Sequence, residues 1–437
     1  MTRSPVRLDP TVGAAPSPGV RVVLDARPLQ EPDRAPLTAG YLERLLEAFD
    51  ADPLAGESFA LLLRSDLDDP TARFAGLAIV GRRMLPPTHL LRSAALTVDP
   101  FVLSGASLGA AWRAEAGGAS GAVYHAAGGA IPLASGLPLV VTLLDLAPWE
   151  VPAAYQRTIA SRLGQRLRGR LLRDAAAVIV GSAAVAATAR RLLGIRRDRI
   201  RVIPFAPRPE FTIQPADSPG AGRRRRSAID RAAAARHERE RLGLPERYLV
   251  YSGRYDARQD LATLLRALER LGAAGRPIEL PTDMAWPPRV LLVGASPGDR
   301  ASLARAAARV GVGDALAYAP VLPADRLAAL VRGARAVLLP TVSDATGLAA
   351  LEALACGTPV IASAVGALPD VVGTAGILVP PREPDRLASA LRTMWSDDPV
   401  HGGLAAVASE RAATDRWTWA DVATGTRRVY AEVGRRR

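Results

Sequence analysis

Lysine and asparagine are both missing from the 437 residues, so all 56 basic Lys/Arg positions are arginine. Both absent residues use A-rich codons, and a GC-biased coding sequence explains the pair of absences. Cysteine occurs once, as Cys356, which excludes an intramolecular disulfide and suits a reducing, cytoplasmic setting. Aromatic side chains make up 5% of the chain, too few to offer stacking platforms to single-stranded nucleic acid. Long apolar runs are lacking too. The stretch Ile131–Leu146 is broken by Pro132, Gly136, Pro138 and Asp145, so no membrane-spanning helix is expected. The first 19 residues, MTRSPVRLDPTVGAAPSPG, have no apolar centre, and a disordered lead-in is expected there rather than a signal peptide.

What is present is a globular composition, 49% hydrophobic with a mean hydropathy of +0.10, at a length that calls for two domains. The net charge of +13 would attract phosphates, acidic lipids or nucleic acid. Part of it sits in the Arg223–Arg226 run, which reads as a solvated loop. Nothing resembles a nucleic-acid motif, and no nucleic-acid partner is expected.

The most informative stretch is Leu338–Ser363, LLPTVSDATGLAALEALACGTPVIAS. An apolar strand ends at Leu339, and Pro340 with Ser343-Asp344 breaks it. Gly347-Leu348 open a helix that Gly357 and Pro359 close, and Val360-Ile361-Ala362 resume as a strand. A loop feeding a helix after a parallel strand presents free backbone N–H groups and a positive dipole end, which suits an anion. Asp344 and Glu352 bracket this turn. A carboxylate does not bind phosphate but does bind hydroxyls, so amides and carboxylates together suggest a sugar nucleotide.

Around this stretch, strand and helix alternate along the chain, as a parallel sheet covered on both faces requires. The strands expected are Val20–Leu24, Ser58–Leu63, Ala122–His125, Pro138–Leu143, Ala177–Gly181 and Ile200–Pro204, then Arg247–Gly253, Val290–Gly294, Tyr318–Pro323 and Ala336–Leu339. A loop is expected through Pro36–Gly40, with a helix over Tyr41–Phe49. Gln156–Leu172 reads as an Arg-rich amphipathic helix and Trp417–Val433 as a last helix. The expected division is a lead-in over 1–19, an N-terminal domain over 20–204, a linker with a mobile Arg-rich insertion over 205–246, a C-terminal domain over 247–415 and a terminal helix over 416–437. Asp66-x-Asp68 reads as an acidic surface turn before Pro70 rather than a metal site, and no metal is expected.

The spacing Asp344-x7-Glu352, followed by Ala353-Leu354-Ala355-Cys356-Gly357-Thr358-Pro359-Val360, resembles the E-x7-E signature of glycosyltransferase family 4. Two further blocks carry the resemblance: His125 with Pro138, Val140-Val141-Thr142 and Asp145-Leu146, and Gly253-Arg254-Tyr255-Asp256-Ala257-Arg258-Gln259-Asp260-Leu261. It implies the two-domain GT-B fold, in which two Rossmann-like parallel-sheet domains face a central cleft. It also implies transfer of a sugar from a nucleotide-sugar donor with retained anomeric configuration and no bound metal or cofactor.

On that resemblance Glu352 would bind the donor ribose and Asp344 the sugar hydroxyls. Backbone amides around Thr346, Gly347 and Leu348 would meet the diphosphate, with Arg254 and, beside Gln259, Arg258 supplying charge. Val321 and Leu322 would flank the base. Gly40 would let the first loop approach the donor or acceptor, and His125 would stand near the cleft. Several residues also have a plainer reading. Glu352 would be a surface helix residue, Asp344 an N-cap, Gly40 a helix start, and His125 a hydrogen-bonded strand-end side chain. Val321 and Leu322 would be core.

Three positions depart from the family pattern: Asp344 where the first Glu stands, Leu144 where a histidine is frequent, and Gln259 where a lysine is expected. The alternative function is therefore a catalytically weakened or inactive sugar-nucleotide-binding protein of the same fold. A sugar-nucleotide epimerase is a second rival, short of acid–base groups. The acceptor would be a sugar, a lipid-linked molecule or a small molecule, and the helix Gln156–Arg173 is the surface for any peripheral contact with the inner face of a membrane.

Overall fold

The computed structural model describes residues 19–85, 121–128, 131–132, 136–213, 232–415 and 417–434. Most of the expected lead-in and the Arg223–Arg226 run lie outside the described residues.

Two parallel sheets organise the chain. The first has seven strands in the order β3-β2-β1-β4-β5-β6-β7. These are β1 Arg21–Asp25, β2 Ser58–Arg64, β3 Ile79–Leu85, β4 Ala122–Ala127, β5 Leu139–Thr142, β6 Ala177–Val180 and β7 Ile200–Val202. The second has six strands in the order β10-β9-β8-β11-β12-β13. They are β8 Leu249–Ser252, β9 Val290–Val293, β10 Leu316–Ala319, β11 Ala336–Leu339, β12 Val360–Ser363 and β13 Gly376–Val379. Every ladder in both is parallel. Helices cover both faces of such sheets, which is why the central strands, AVIV in β6, VLLV in β9 and AVLL in β11, are apolar and buried at every position. The strand order reverses direction beside β1 and beside β8, and ligand crevices form at the carboxyl ends of strands at such points.

The helices that matter for the site follow in chain order. Helix α1 spans Pro36–Ala51 with proline at its start. The expected loop through Gly40 is thereby corrected. Proline at the first helical position has its φ preset, so the helix begins at Pro36 and Gly40 lies inside it. Helix α2 is Ala147–Glu150, and α3 is Ile159–Asp174, closed at its start by a reciprocal Thr158–Ser161 capping box. Helix α4, Ala183–Leu193, runs from the Ser182 cap to a left-handed Gly194. In the second half, α5 is Leu348–Ala355 and α6 is Leu368–Val372.

The last helix, α7 Trp419–Gly434, packs on the first sheet, not the second. Val422, Val429, Tyr430 and Val433 join Leu42, Leu45 and Phe49 of α1 in one core. Two indoles fasten the crossing: Trp417 Nε1 donates to Pro204 O at 2.9 Å and Trp419 Nε1 to Pro207 O at 3.2 Å.

Candidate functional site

The turn between β11 and α5 is held from three sides. Thr341 N donates to Ser363 Oγ at 3.0 Å, its hydroxyl donates to Arg258 O at 2.7 Å, and Val342 N reaches the same carbonyl at 2.8 Å. Ala367 N donates to Asp344 O at 2.8 Å. Gly366 is pressed so close that a β-carbon there would overlap Asp344 O at 1.7 Å. Gly347 sits at φ 65°, and a β-carbon there would meet Val371 Cγ2 at 2.8 Å. Both positions therefore require glycine.

Inside this turn Asp344 folds back on its own backbone. Its Oδ1 accepts from Thr346 N at 2.9 Å and Gly347 N at 2.8 Å. Leu348 N faces Thr346 Oγ1 at 3.5 Å. The expectation that these amides stand free for a diphosphate is corrected. An aspartate side chain is short enough to close on N–H groups two and three residues ahead, so the carboxylate takes the donors.

Glu352, one turn into α5, is likewise engaged. Arg208, in the segment after β7, donates from Nε to Oε1 at 2.5 Å and from Nη2 to Oε2 at 3.0 Å. The Arg208 guanidinium also lies 4.6 Å from the centre of the Phe211 ring. Glu352 is 13% exposed, so the plainer reading of a solvated surface residue does not hold. Arg208 was not foreseen, because no local pattern marks a partner 144 positions away.

Arg258 bridges the two halves. Its guanidinium meets Asp256 at 2.6 Å and, across the cleft, Asp145 Oδ2 at 3.2 Å, and it is 12% exposed. Burial pulls its pKa down, but the Asp256 hydrogen bond and the charges of Asp145 and Asp256 outweigh it and leave it raised. Arg254 is more open and pairs with Asp256 at 3.2 Å. Gln259 forms a lone antiparallel bridge to Thr341, and its backbone is part of the turn's support. The buried Tyr155 hydroxyl has no hydrogen-bond partner among the described residues, and it senses Asp256, Arg258, Asp145 and Arg254 together.

A second bridge involves Glu150, which sequence reasoning passed over. Its carboxylate accepts from Ser343 Oγ across the cleft. Burial raises the Glu150 pKa, the Ser343 hydrogen bond opposes the rise, and the negative Asp145 and Asp344 add to it. Asp145 also caps α2 by accepting from Ala147 N at 2.8 Å. The Asp-x4-Glu spacing, with Asp145 ahead of the four-residue α2 and Glu150 at its end, was the sequence signal for this group. A third link runs from Ala184 N to Asp370 Oδ2 at 2.9 Å.

The remaining expected residues divide. Val321 is 81% exposed at the exit of β10, beside Gly294 at the exit of β9, whereas Leu322 is buried in the core. At Gly40 a β-carbon would meet nothing within 4 Å, so the backbone is open to approach there. His125 corrects the expectation of a cleft imidazole. It is 0% exposed, with Nε2 at 2.8 Å from Thr142 Oγ1 and Nδ1 at 2.7 Å from the Tyr430 hydroxyl. Burial pushes its pKa down to about 3, so it stays neutral. The reason is α7, whose return over the first sheet covers the ring. Leu144 is buried in the same core. Asp66 accepts from Arg64 at 2.9 Å as part of a surface turn. Among the described residues no group of three or more His, Cys, Asp or Glu is placed to hold a metal ion.

A family model described as "Glycosyl transferases group 1" matches residues 246–397, and one described as "Glycosyltransferase Family 4" matches residues 105–206. The chain is 32% identical over 310 residues to a D-inositol 3-phosphate glycosyltransferase of Xylanimonas cellulosilytica, covering 66% of this chain and 68% of that protein. It is 32% identical over 300 residues to the protein of the same name from Streptomyces bingchenggensis, covering 66% of this chain and 63% of that one. The matched part thus spans about two thirds of these relatives. Among solved structures, a sucrose-phosphate synthase from Thermosynechococcus elongatus superposes with a TM-score of 0.66 at 21% identity, over 94% of this chain and 98% of that one. Anabaena HepE in complex with UDP superposes at 0.63 and 18% identity, over 94% and 100%. The fold is GT-B, and the chain belongs to glycosyltransferase family 4.

Proposed function

We propose that the protein transfers a sugar from a nucleotide-sugar donor to an acceptor hydroxyl with retention of anomeric configuration. The observation that carries this reading is the buried Arg258 guanidinium between the β11–α5 turn and Asp145, a fixed positive charge at the carboxyl ends of both sheets. Such preorganised charge, in a site shielded from water, favours a departing diphosphate. Arg254 adds a second, more exposed charge, Val321 flanks the base, and Glu352 takes the ribose hydroxyls by exchange with Arg208. Asp344 holds sugar hydroxyls with the carboxylate oxygen not used by the turn.

The acceptor oxygen bonds to the anomeric carbon on the face that the diphosphate leaves. The electron pair of the breaking bond goes to the diphosphate oxygen, and that oxygen takes up the acceptor's proton. This route calls on no metal or cofactor. HepE was solved with UDP, so UDP-sugars are the first donors to test. The relatives are named for D-inositol 3-phosphate, which makes a polyol phosphate the first acceptor. Lipid-linked acceptors and peripheral membrane contact from the cytoplasm belong to the same reading. No helix among the described residues is long and apolar enough to cross a membrane.

A thermal-shift panel of UDP-, GDP- and ADP-sugars tests the donor site, with Glu352→Ala as control. One donor class should stabilise the wild type and not the variant. Equal responses, or none, overturn the assignment, and stabilisation without transfer to any acceptor supports the binding-protein alternative.

A further inference from the structure

The outward face of α3 carries two large apolar residues, although Leu171 and Leu172 of the same helix pack inward. Its protein-facing positions are Ser161, Gly164, Gln165, Arg168, Gly169 and Leu172. Ile159 and Leu163 point out, 78% and 62% exposed, and Arg162, Arg166, Arg170 and Arg173 are exposed with them. At 3.6 residues per turn these six side chains fall in one stripe roughly 100° wide.

Helix α4 packs beside α3 and extends the same surface. Arg190, Arg191, Arg196 and Arg197 line an open depression of about 510 Å³ past its end. A β-carbon at Gly194 would lie 3.5 Å from Arg173 Cδ, so the depression adjoins the α3 stripe. Leu192 adds a third exposed apolar side chain at 39%.

This face gathers unpaired arginines beside exposed apolar side chains. Arginines elsewhere include matched ones, as in Arg64–Asp66, Arg326–Glu238 and Arg427–Glu57, and ones scattered singly without an ion pair among the described residues, such as Arg266, Arg305 and Arg392. On the α3–α4 face, Arg196 pairs with Asp198. No ion pair among the described residues engages Arg162, Arg166, Arg170, Arg173, Arg190, Arg191 or Arg197. The nearby acids, besides Asp198, are Asp174 at the end of α3, Asp370 against the start of α4 and Glu150, which senses Arg191.

We infer that the α3–α4 face docks on an anionic lipid bilayer, Ile159 and Leu163 entering the acyl boundary while the arginines engage lipid phosphates. Guanidinium forks match phosphate oxygens bidentately. An interfacial helix combines such charges with apolar side chains in one face. A nucleic acid would use the charges but gain nothing from exposed Ile and Leu, and the face has no aromatic side chain for bases. Tyr155 of the cleft lies just before α3, so docking brings the cleft rim near the headgroups. Docking itself does not depend on the donor reading.

The test is co-sedimentation of the full chain with vesicles of phosphatidylcholine alone or with phosphatidylglycerol, at low and high salt. The chain should bind the anionic vesicles, not the neutral ones, and release in salt. Arg166→Glu/Arg170→Glu should weaken binding by more than about fivefold per residue, since reversal exceeds loss of an arginine. Ile159→Ser/Leu163→Ser should weaken it as well. Far-UV circular dichroism and thermal melting should show both variants folded, because all four side chains are exposed. Absence of anionic-vesicle binding, or equal binding to neutral vesicles, overturns the inference. So does unchanged binding by Ile159→Ser/Leu163→Ser together with competition by duplex DNA, which would make this a nucleic-acid surface. Vesicle binding by a chain that no donor stabilises sinks the transferase reading and leaves docking supported. Donor stabilisation without vesicle binding does the reverse.

Discussion

Arg208 holds Glu352 by both carboxylate oxygens, and in doing so ties the segment after the first sheet to the helix behind the β11–α5 turn. A ligand that uses Glu352 has to displace this guanidinium. Arg208→Met should cost about 1 kcal/mol of stability in urea unfolding, the scale of a partly exposed ion pair. It should also enlarge the donor-induced rise in melting temperature, because the exchange is removed. A smaller rise would mean that Arg208 itself binds the donor.

Arg258 meets Asp256 in its own half and Asp145 in the other. Replacing it by Met should lower kcat by about 10²-fold, the effect of losing one preorganised charge at a leaving group. Asp145→Asn leaves that charge in place and should cost far less. Steady-state kinetics on the two variants checks the order, and a reversed order would make the bridge, not the charge, the source of the effect.

Glu150 gives a pH dependence of definite sign. Its unfolded value is 4.5 and its folded value is raised, chiefly by burial. Between the two, the folded chain holds a proton that the unfolded chain has lost, so stability falls as pH rises through this window and stays lowered above it. Glu150→Gln should match the wild type at acid pH and melt higher at neutral pH. Melting curves over a pH series check this, and a gap that narrows as pH rises would contradict it.

His125 gives the opposite slope. The unfolded imidazole protonates near 6.5 and the buried one only near 3. As pH falls below about 6.5 the unfolded chain gains a proton first, and stability drops. His125→Phe strands the Tyr430 hydroxyl, while Thr142 Oγ1 keeps the Tyr41 hydroxyl at 3.1 Å, and should cost about 1–3 kcal/mol near neutrality. That deficit should shrink towards pH 3 as the wild type loses its own advantage. Turnover of the folded variant should stay within about twofold, since the ring does not reach the cleft. A large loss of kcat at unchanged KM would return His125 to the chemistry.

Much of the fold was legible because parallel strands buried on both faces must be apolar throughout, as in VLLV at Val290–Val293. The edge strand Ile79–Leu85, with Arg82 and Arg83 inside it, has no such run and was missed. The start of α1 was misplaced because Gly40 was read as punctuation, when Pro36 had already set the helix.

At the site, residue types and spacing located the β11–α5 turn, Glu352 and the Arg254–Arg258 block, because local backbone geometry and charge are properties of short stretches. They did not show where those groups point. Asp344 turning back on its own amides, Arg208 on Glu352 and Glu150 against Ser343 depend on contacts within a turn or across the cleft. The sequence by itself determined two parallel α/β halves, a glycine-shaped turn ahead of α5 and an arginine-only basic character. Only the tertiary structure decided which charges are spent on one another and which stay open, because pairing depends on distance in space. It closed His125 beneath Tyr430, locked Arg258 between Asp256 and Asp145, and left Arg162, Arg166, Arg170 and Arg173 of α3 with Arg190 and Arg191 of α4 facing outward.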